Sequence, residues 1–383
     1  MSTIILVGTT KGAFLLHEKP DGWRANGPHC DGAPINHVIG DPATGTIWAG
    51  GGGDWHGAGV WKTEDGGETW SHTKLTKGMM DEWAANDPDF AEMIGWQPNT
   101  PPFGEQFSQL WSLGFAHGNL YAGAKPATLL KSTDGGATFE RLQSLNDHPS
   151  AESWNPGAAG LTLHTIIPDP SDPAKIWIGI SAAGVFATED GGKSWDRRNR
   201  LSNADACAHH DHPAAPRGGE TGHCVHNMVR ARNTAGDLLY QQNHHGVYRS
   251  RDGGRNWDDI TEGLPSTFGF PIAVDPDDAN TIWTIPLNGD SQGRFPPGAA
   301  AAVWRSSDGG ESWQAKRKGL PQQDCFFTVL RQAMTAGAPG TNSVYFGTNS
   351  GSVFATQDGG ESWKEIARHL PTITSVETVS TPS

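Results

Sequence analysis

Short apolar runs of four to seven residues recur along the chain, and nearly every one stops at a glycine-rich polar turn. Within each run the apolar and polar positions alternate or stay continuously apolar, the pattern of half-buried or buried strands. The runs come in sets. GVWKT, TLLKS, GVFAT, GVYRS, AVWRS and SVFAT each have an upstream partner: TIWAG, NLYAGA, KIWIGI, LLYQQN, TIWTIP and SVYFGT. A third run lies upstream again: INHVIG, SQLWSL, LTLHTII, CVHNMV, GFPIAV and FFTVLR.

Each set ends in nearly the same nine letters, as in RSSDGGESW from Arg305 to Trp313. The aspartates of the six copies are Asp65, Asp134, Asp190, Asp252, Asp308 and Asp358, spaced 50 to 69 residues apart. Asp-Gly-Gly between two strands supplies the positive φ that a tight hairpin requires, and its carboxylate can accept turn amides. The closing Trp or Phe begins a fourth, outer strand and fills the gap to the next sheet. Six copies spread around a ring cannot converge on one substrate, so the box reads as scaffold.

A period of this length fits four-stranded blades with insertions. The expected fold is an all-β, seven-bladed β-propeller, a single domain over residues 1–383. Six blades are complete; the seventh takes TIILVG, AFLL and GWRAN from the N-terminus and TITSVETV from the C-terminus. Sharing one blade between both ends leaves no exposed sheet edge. Insertions at 76–106, 144–160, 201–223 and 286–298 read as lid-like loops, since long loops in a compact fold are functional or disordered.

Composition narrows the partners. A net charge of −14 with no Lys/Arg cluster argues against nucleic acid and anionic membranes. No run approaches the roughly 18 apolar residues of a membrane span. The four cysteines, Cys30, Cys207, Cys224 and Cys325, are too scattered for a disulfide framework. The first residues lack a basic, cleavable leader, so a cytoplasmic location is expected.

The repeat, D-G-G-x-S/T-W/F, resembles the Asp-box or BNR repeat of sialidase-like propellers over essentially the whole chain. WNPGAAGLTLHTI, CVHNM, QQNHHGVYRS and LPSTFGFPIAV resemble bacterial proteins labelled sialidase-like or glycosyl-hydrolase-like. The resemblance implies boxes on one face and a binding pocket on the other. It does not carry sialidase chemistry, which needs three arginines and a tyrosine nucleophile. Tyr121, Tyr240, Tyr248 and Tyr345 all fall inside repeated strand patterns.

Histidine supplies the sharpest chemical signal. His37, His164 and His226 lie on expected inner strands, and His244 lies in a loop over the same face. Converging imidazoles suit one divalent transition metal (Zn, Cu, Fe or Mn) or proton transfer. The expected metal set is therefore His37, His164, His226 and His244. His164, His226 and His244 are the candidate catalytic groups of a hydrolase or lyase acting on a small polar or carbohydrate-like molecule. Cys224, beside His226, reads as a small buried strand residue ahead of a ligand, and His209, His210 and His212 read as a solvated loop.

Asp54, Glu105 and Asp290 are the carboxylates of an alternative, a glycoside hydrolase working by paired acids. Trp55, Trp111 and Trp154, with Lys125, Asn243, Arg294 and Arg331, form the expected substrate-contacting set. A non-catalytic binding or assembly propeller is the third reading.

Overall fold

A computed structural model describes residues 2–202, 219–232, 234 and 236–381. The chain folds into antiparallel meanders of four strands, each strand pairing with the next in sequence. Four separate meanders begin with Thr162–Pro168, Val225–Arg230, Gly269–Val274 and Met334–Ala336. An eight-stranded sheet holds two further runs of four, starting at Ile35–Gly40 and Gln109–Ala116, which touch through the pair Gly52–Gln109. In the remaining sheet, Ile373–Thr381 pairs antiparallel with Ser2–Thr9, followed by Gly12–Lys19 and Gly22–His29. The first strands of successive meanders pack side by side, and Ile373–Thr381 packs against both Met334–Ala336 and Ile35–Gly40.

The hydrophobic core lies between neighbouring sheets, not inside one central mass. One such layer joins Trp177 and Val185 of one meander to Val225, Leu239 and Trp257 of the next. Burying a side chain of this size stabilises by roughly 2 to 3 kcal/mol. Three tryptophans on second strands also latch one meander to the box of another. The indole Nε1 of Trp48 donates to the Gly135 carbonyl, that of Trp177 to Gly253 and that of Trp283 to Gly359, at 2.9, 2.9 and 3.1 Å.

The boxes are self-contained turns. At Asp308, Oδ1 accepts from the Ser306 hydroxyl at 2.7 Å and the Ser312 amide at 2.9 Å, while Oδ2 accepts from the Ser312 hydroxyl at 2.6 Å. These bonds, the Ser312 hydroxyl foremost, hold the carboxyl well below the ordinary range. Gly309 and Gly310 sit at φ of 73° and 97°, which a side chain would strain. Asp65, Asp134, Asp190 and Asp358 repeat the pattern, and at Asp252 the amide of Asn256 replaces the hydroxyl.

Two expectations need correction. FFTVLR, 326–331, is not an inner strand: it is irregular, and the first strand of its meander is Met334–Ala336. Its residues leave the sheet because their backbone is used across the bore, as described below. The insertion 76–106 is not loop throughout but contains helices Met79–Asn86 and Pro88–Ile94. Buried Asp81 anchors them, accepting from the Gly78 amide and Trp96 Nε1 and pairing with Lys74 at 2.5 Å. The histidines His209, His210 and His212, with Cys207, lie outside the described residues. Among the described residues, no helix is long and apolar enough to cross a membrane.

Candidate functional site

The inner strands share an irregularity that fixes which side chains meet. Pairing with the second strand slips once near the start of five of them: between Ile35 and His37, Leu110 and Ser112, Leu163 and Thr165, Val225 and Asn227, and Gly269 and Ile272. The residues set free are Asn36, Trp111, His164, His226 and the pair Phe270–Pro271. A bulge interrupts the pleat and re-aims the extra side chain, a device frequent beside active sites.

Arg331 and Gln332 cross the space these residues surround. The Asn227 amide donates to the Arg331 carbonyl at 2.7 Å, and Gln332 Nε2 donates to the carbonyls of Trp111 and His164. Val376 donates to the Gln332 carbonyl at 2.8 Å. This crossing divides the interior into two cavities. One, of about 270 Å³, is lined by His37, Thr165, Asn227, Gln332 and Glu377 among others. The other, of about 200 Å³, is lined by 155–159 and by Ala182, His223, Cys224, His226, His244, Phe268, Phe270, Asp290, Arg294 and Arg331. Its walls come from hairpins between second and third strands and from connectors between meanders, so it opens on the end opposite the boxes.

Within the second cavity Cys224, His226 and His244 offer ligand atoms that all lie within 4.8 Å of one another. Nδ1 of His226 sits 2.5 Å from the Gly269 carbonyl and must carry its proton to donate there. Nε2 is then the lone-pair nitrogen, 3.6 Å from Cys224 Sγ. Burial, reinforced by the Arg331 charge, presses the His226 pKa well below 6.5 and keeps the ring neutral. Burial raises the Cys224 thiol, partly offset by the Ser181 hydroxyl at 3.3 Å. His244 packs edge-on to His226 with ring centroids 5.4 Å apart, and its Nε2 lies 3.7 Å from Asp290 Oδ2. Asp290 is itself held by Arg294 Nε at 2.6 Å.

The other expected site residues are placed as follows. His37 lines the first cavity, accepting the Leu113 amide at Nδ1 and facing Glu377 at 3.7 Å, so it does not join the cluster. His164 is fully buried with Nδ1 on the Thr165 hydroxyl at 2.9 Å, outside the lining of the second cavity. Asp54 and Glu105 are exposed and line neither cavity. Trp55 packs edge-on to Trp83 of the first helix, and Trp154 packs on Phe186 with its Nε1 on Ser150. Lys125 lies against Gly160. Buried Asn243 donates to the Gly222 carbonyl and thereby positions the entry to Cys224. Trp111 lies under the Arg331 guanidinium.

Sequence reasoning missed Phe268 and Phe270 as cavity residues, and it set the ligand reading of Cys224 below that of a small buried residue. The Cys-x-His spacing at the start of an inner strand was the available signal, although the bulge at His226, which no alternation foretells, is what turns the two side chains to one cavity.

No family model matches the sequence. An oligoxyloglucan-reducing end-specific xyloglucanase from Emericella nidulans is 24% identical over 224 residues, covering 52% of this chain and 26% of that protein. The chain thus spans about a quarter of that relative's length. Among solved structures, a GH74 enzyme from Niastella koreensis matches with a TM-score of 0.61 at 17% identity, over 94% of this chain and 51% of that one. YCF48 from Cyanidioschyzon merolae matches at 0.50 and 14% identity, over 86% and 84%. In fold, the chain is a β-propeller. Its likeness is to glycoside-hydrolase-type and YCF48 propellers, and at these identities the likeness speaks for architecture alone.

Proposed function

We propose that the chain is a propeller enzyme, a hydrolase or lyase, that holds one divalent transition metal through Cys224, His226 and His244. Its substrate would be a small polar molecule, bound beside that ion. The observation that carries this reading is the 3.6 Å between Cys224 Sγ and His226 Nε2. Zinc–sulfur and zinc–nitrogen bonds of about 2.3 and 2.0 Å at a tetrahedral angle place the two ligand atoms roughly 3.6 Å apart. The Gly269 carbonyl on the far nitrogen of His226 is the second-shell partner that ligating histidines usually have. A bound ion would supply Lewis-acid polarisation of a substrate oxygen. The chain's own groups do the rest. Phe268 and Phe270 exclude water from one wall, and Asp290 orients His244. Three protein ligands leave a position open for substrate, the arrangement of catalytic sites.

Protein purified without an affinity tag should carry close to one metal ion per chain by mass spectrometry. His226→Ala should abolish it. Metal-free wild-type protein that takes up no zinc, iron or manganese on titration would sink the reading.

The xyloglucanase likeness favours a second reading, glycoside hydrolysis by Asp54, Glu105 or Asp290. Against it stand the exposure of Asp54 and Glu105 and the ion-paired state of Asp290. The cavity is also smaller than the ~300 Å³ at which sites for larger ligands begin. Turnover of a β-glucan or its oligosaccharides, lost in Asp290→Asn, would establish it.

The meanders are proposed to form seven blades. Splitting the eight-stranded sheet at Gly52–Gln109 supports that count, and the pairing of Ser2–Thr9 with Ile373–Thr381 supports closure through the shared sheet.

A further inference from the structure

Resting on that reading of the cavity, we infer that its substrate is a small carboxylic acid whose carboxylate is bound by Arg331. The side chain of Arg331 is offered to the cavity and, among the described residues, forms no ion pair or hydrogen bond; its Nε is shielded from water without a partner. Burying a guanidinium donor unsatisfied is costly, so such a group marks a place that a ligand completes. The guanidinium carbon lies 5.0 Å from the Phe270 ring and 5.9 Å from the Trp111 ring. Gripped by two aromatic faces, the group keeps its N–H edge for an acceptor, and a carboxylate matches that fork with two bonds.

Charge points the same way. Among the described residues Asp290 is the one carboxylate lining the cavity, against Arg294 and Arg331, and Asp290 is already neutralised by Arg294. The lining is therefore cationic with a neutral thiol. It stays cationic when a divalent ion and a thiolate are both added. A local cationic pocket on a chain of net charge −14 selects an anion that the rest of the surface repels. Volume sets the size. At about 200 Å³ the cavity falls below the ~300 Å³ at which sites for larger ligands begin, which favours an acid of a few carbons.

The test uses D-glycerate and its neutral counterpart glycerol, titrated calorimetrically into untagged protein whose metal content has been measured. Glycerate should bind and glycerol should bind at least tenfold more weakly. Arg331→Met should weaken glycerate at least tenfold with metal content unchanged, and Arg331→Lys should restore part of the loss. Equal affinity for the two probes, no glycerate binding at millimolar concentration, or unaltered binding by Arg331→Met would overturn the inference. If Arg331→Met does not fold, a crystal of the wild-type glycerate complex decides, because a carboxylate seated away from the guanidinium overturns it equally. Arg331-dependent glycerate binding to protein that takes up no metal would remove the metal reading and leave this one standing. A metal-loaded protein indifferent to glycerate would do the reverse.

Discussion

His226 donates a hydrogen bond from Nδ1–H to the Gly269 carbonyl on the neighbouring inner strand, at 2.5 Å. That bond orients the ring and leaves Nε2 facing Cys224 Sγ, so a backbone group on one meander sets the chemistry presented by another. The relationship depends on the bulge at His226, since a regular pleat would direct the side chain elsewhere.

Metal content separates ligands from bystanders. Cys224→Ala and His226→Ala should each lose the ion, whereas His164→Ala should retain it, because His164 is held by Thr165 outside the cavity lining. Loss of the ion in His164→Ala, with a normal melting temperature, would show that the cluster has been wrongly drawn.

Acid should destabilise the fold through its buried imidazoles. His164 and His226 are 0% and 2% exposed, and burial first, with the Arg331 charge second, holds both well below 6.5. Below pH 6.5 the unfolded chain therefore binds protons that the folded chain does not, and stability falls as the pH drops. Each such group costs up to about 1.4 kcal/mol per pH unit, so two give about 2.7. Urea midpoints measured from pH 7 to pH 5 should fall, with buried His72 adding to the effect, and His164→Gln should flatten the fall by up to about 1.4 kcal/mol per pH unit.

The indole latches make a different prediction. Trp283→Phe keeps most of the buried area but loses the bond to Gly359, for a cost of about 1 kcal/mol. Trp283→Ala also opens a cavity and should cost about 3 to 5 kcal/mol. Denaturant melts should rank the two in that order, with metal content unchanged in the Phe variant.

Pairing between the first and last described strands implies that neither is dispensable. Removing the residues after Leu370 leaves Ser2–Thr9 with an open edge and uncovers Ile5, Val7 and Met334. The shortened chain should unfold at a lower temperature with a broadened transition. An unchanged, sharp melt would count against closure through this sheet.

Much of the architecture can be read from local chemistry. Asp-Gly-Gly with a hydroxyl on either side makes the same turn wherever it occurs, as Asp65 and Asp308 show, because every bond it needs lies within a few residues. Strand runs next to such turns have their faces set by alternation. The sequence alone therefore determined the four-strand repeat, the pairing of the first strand with the last, and the turn that the box makes.

Only the tertiary structure decided the site. FFTVLR is apolar enough for a strand, yet 331–332 crosses the bore because carbonyls and amides from three other inner strands and the last strand claim its polar groups. That crossing puts His37 in one cavity and His226 in another, although both lie on inner strands. It also places the Arg331 guanidinium between rings more than fifty residues away in either case. Contacts at such separations leave no periodic trace in a chain, since each depends on where a bulge turns one side chain and not on the pattern around it.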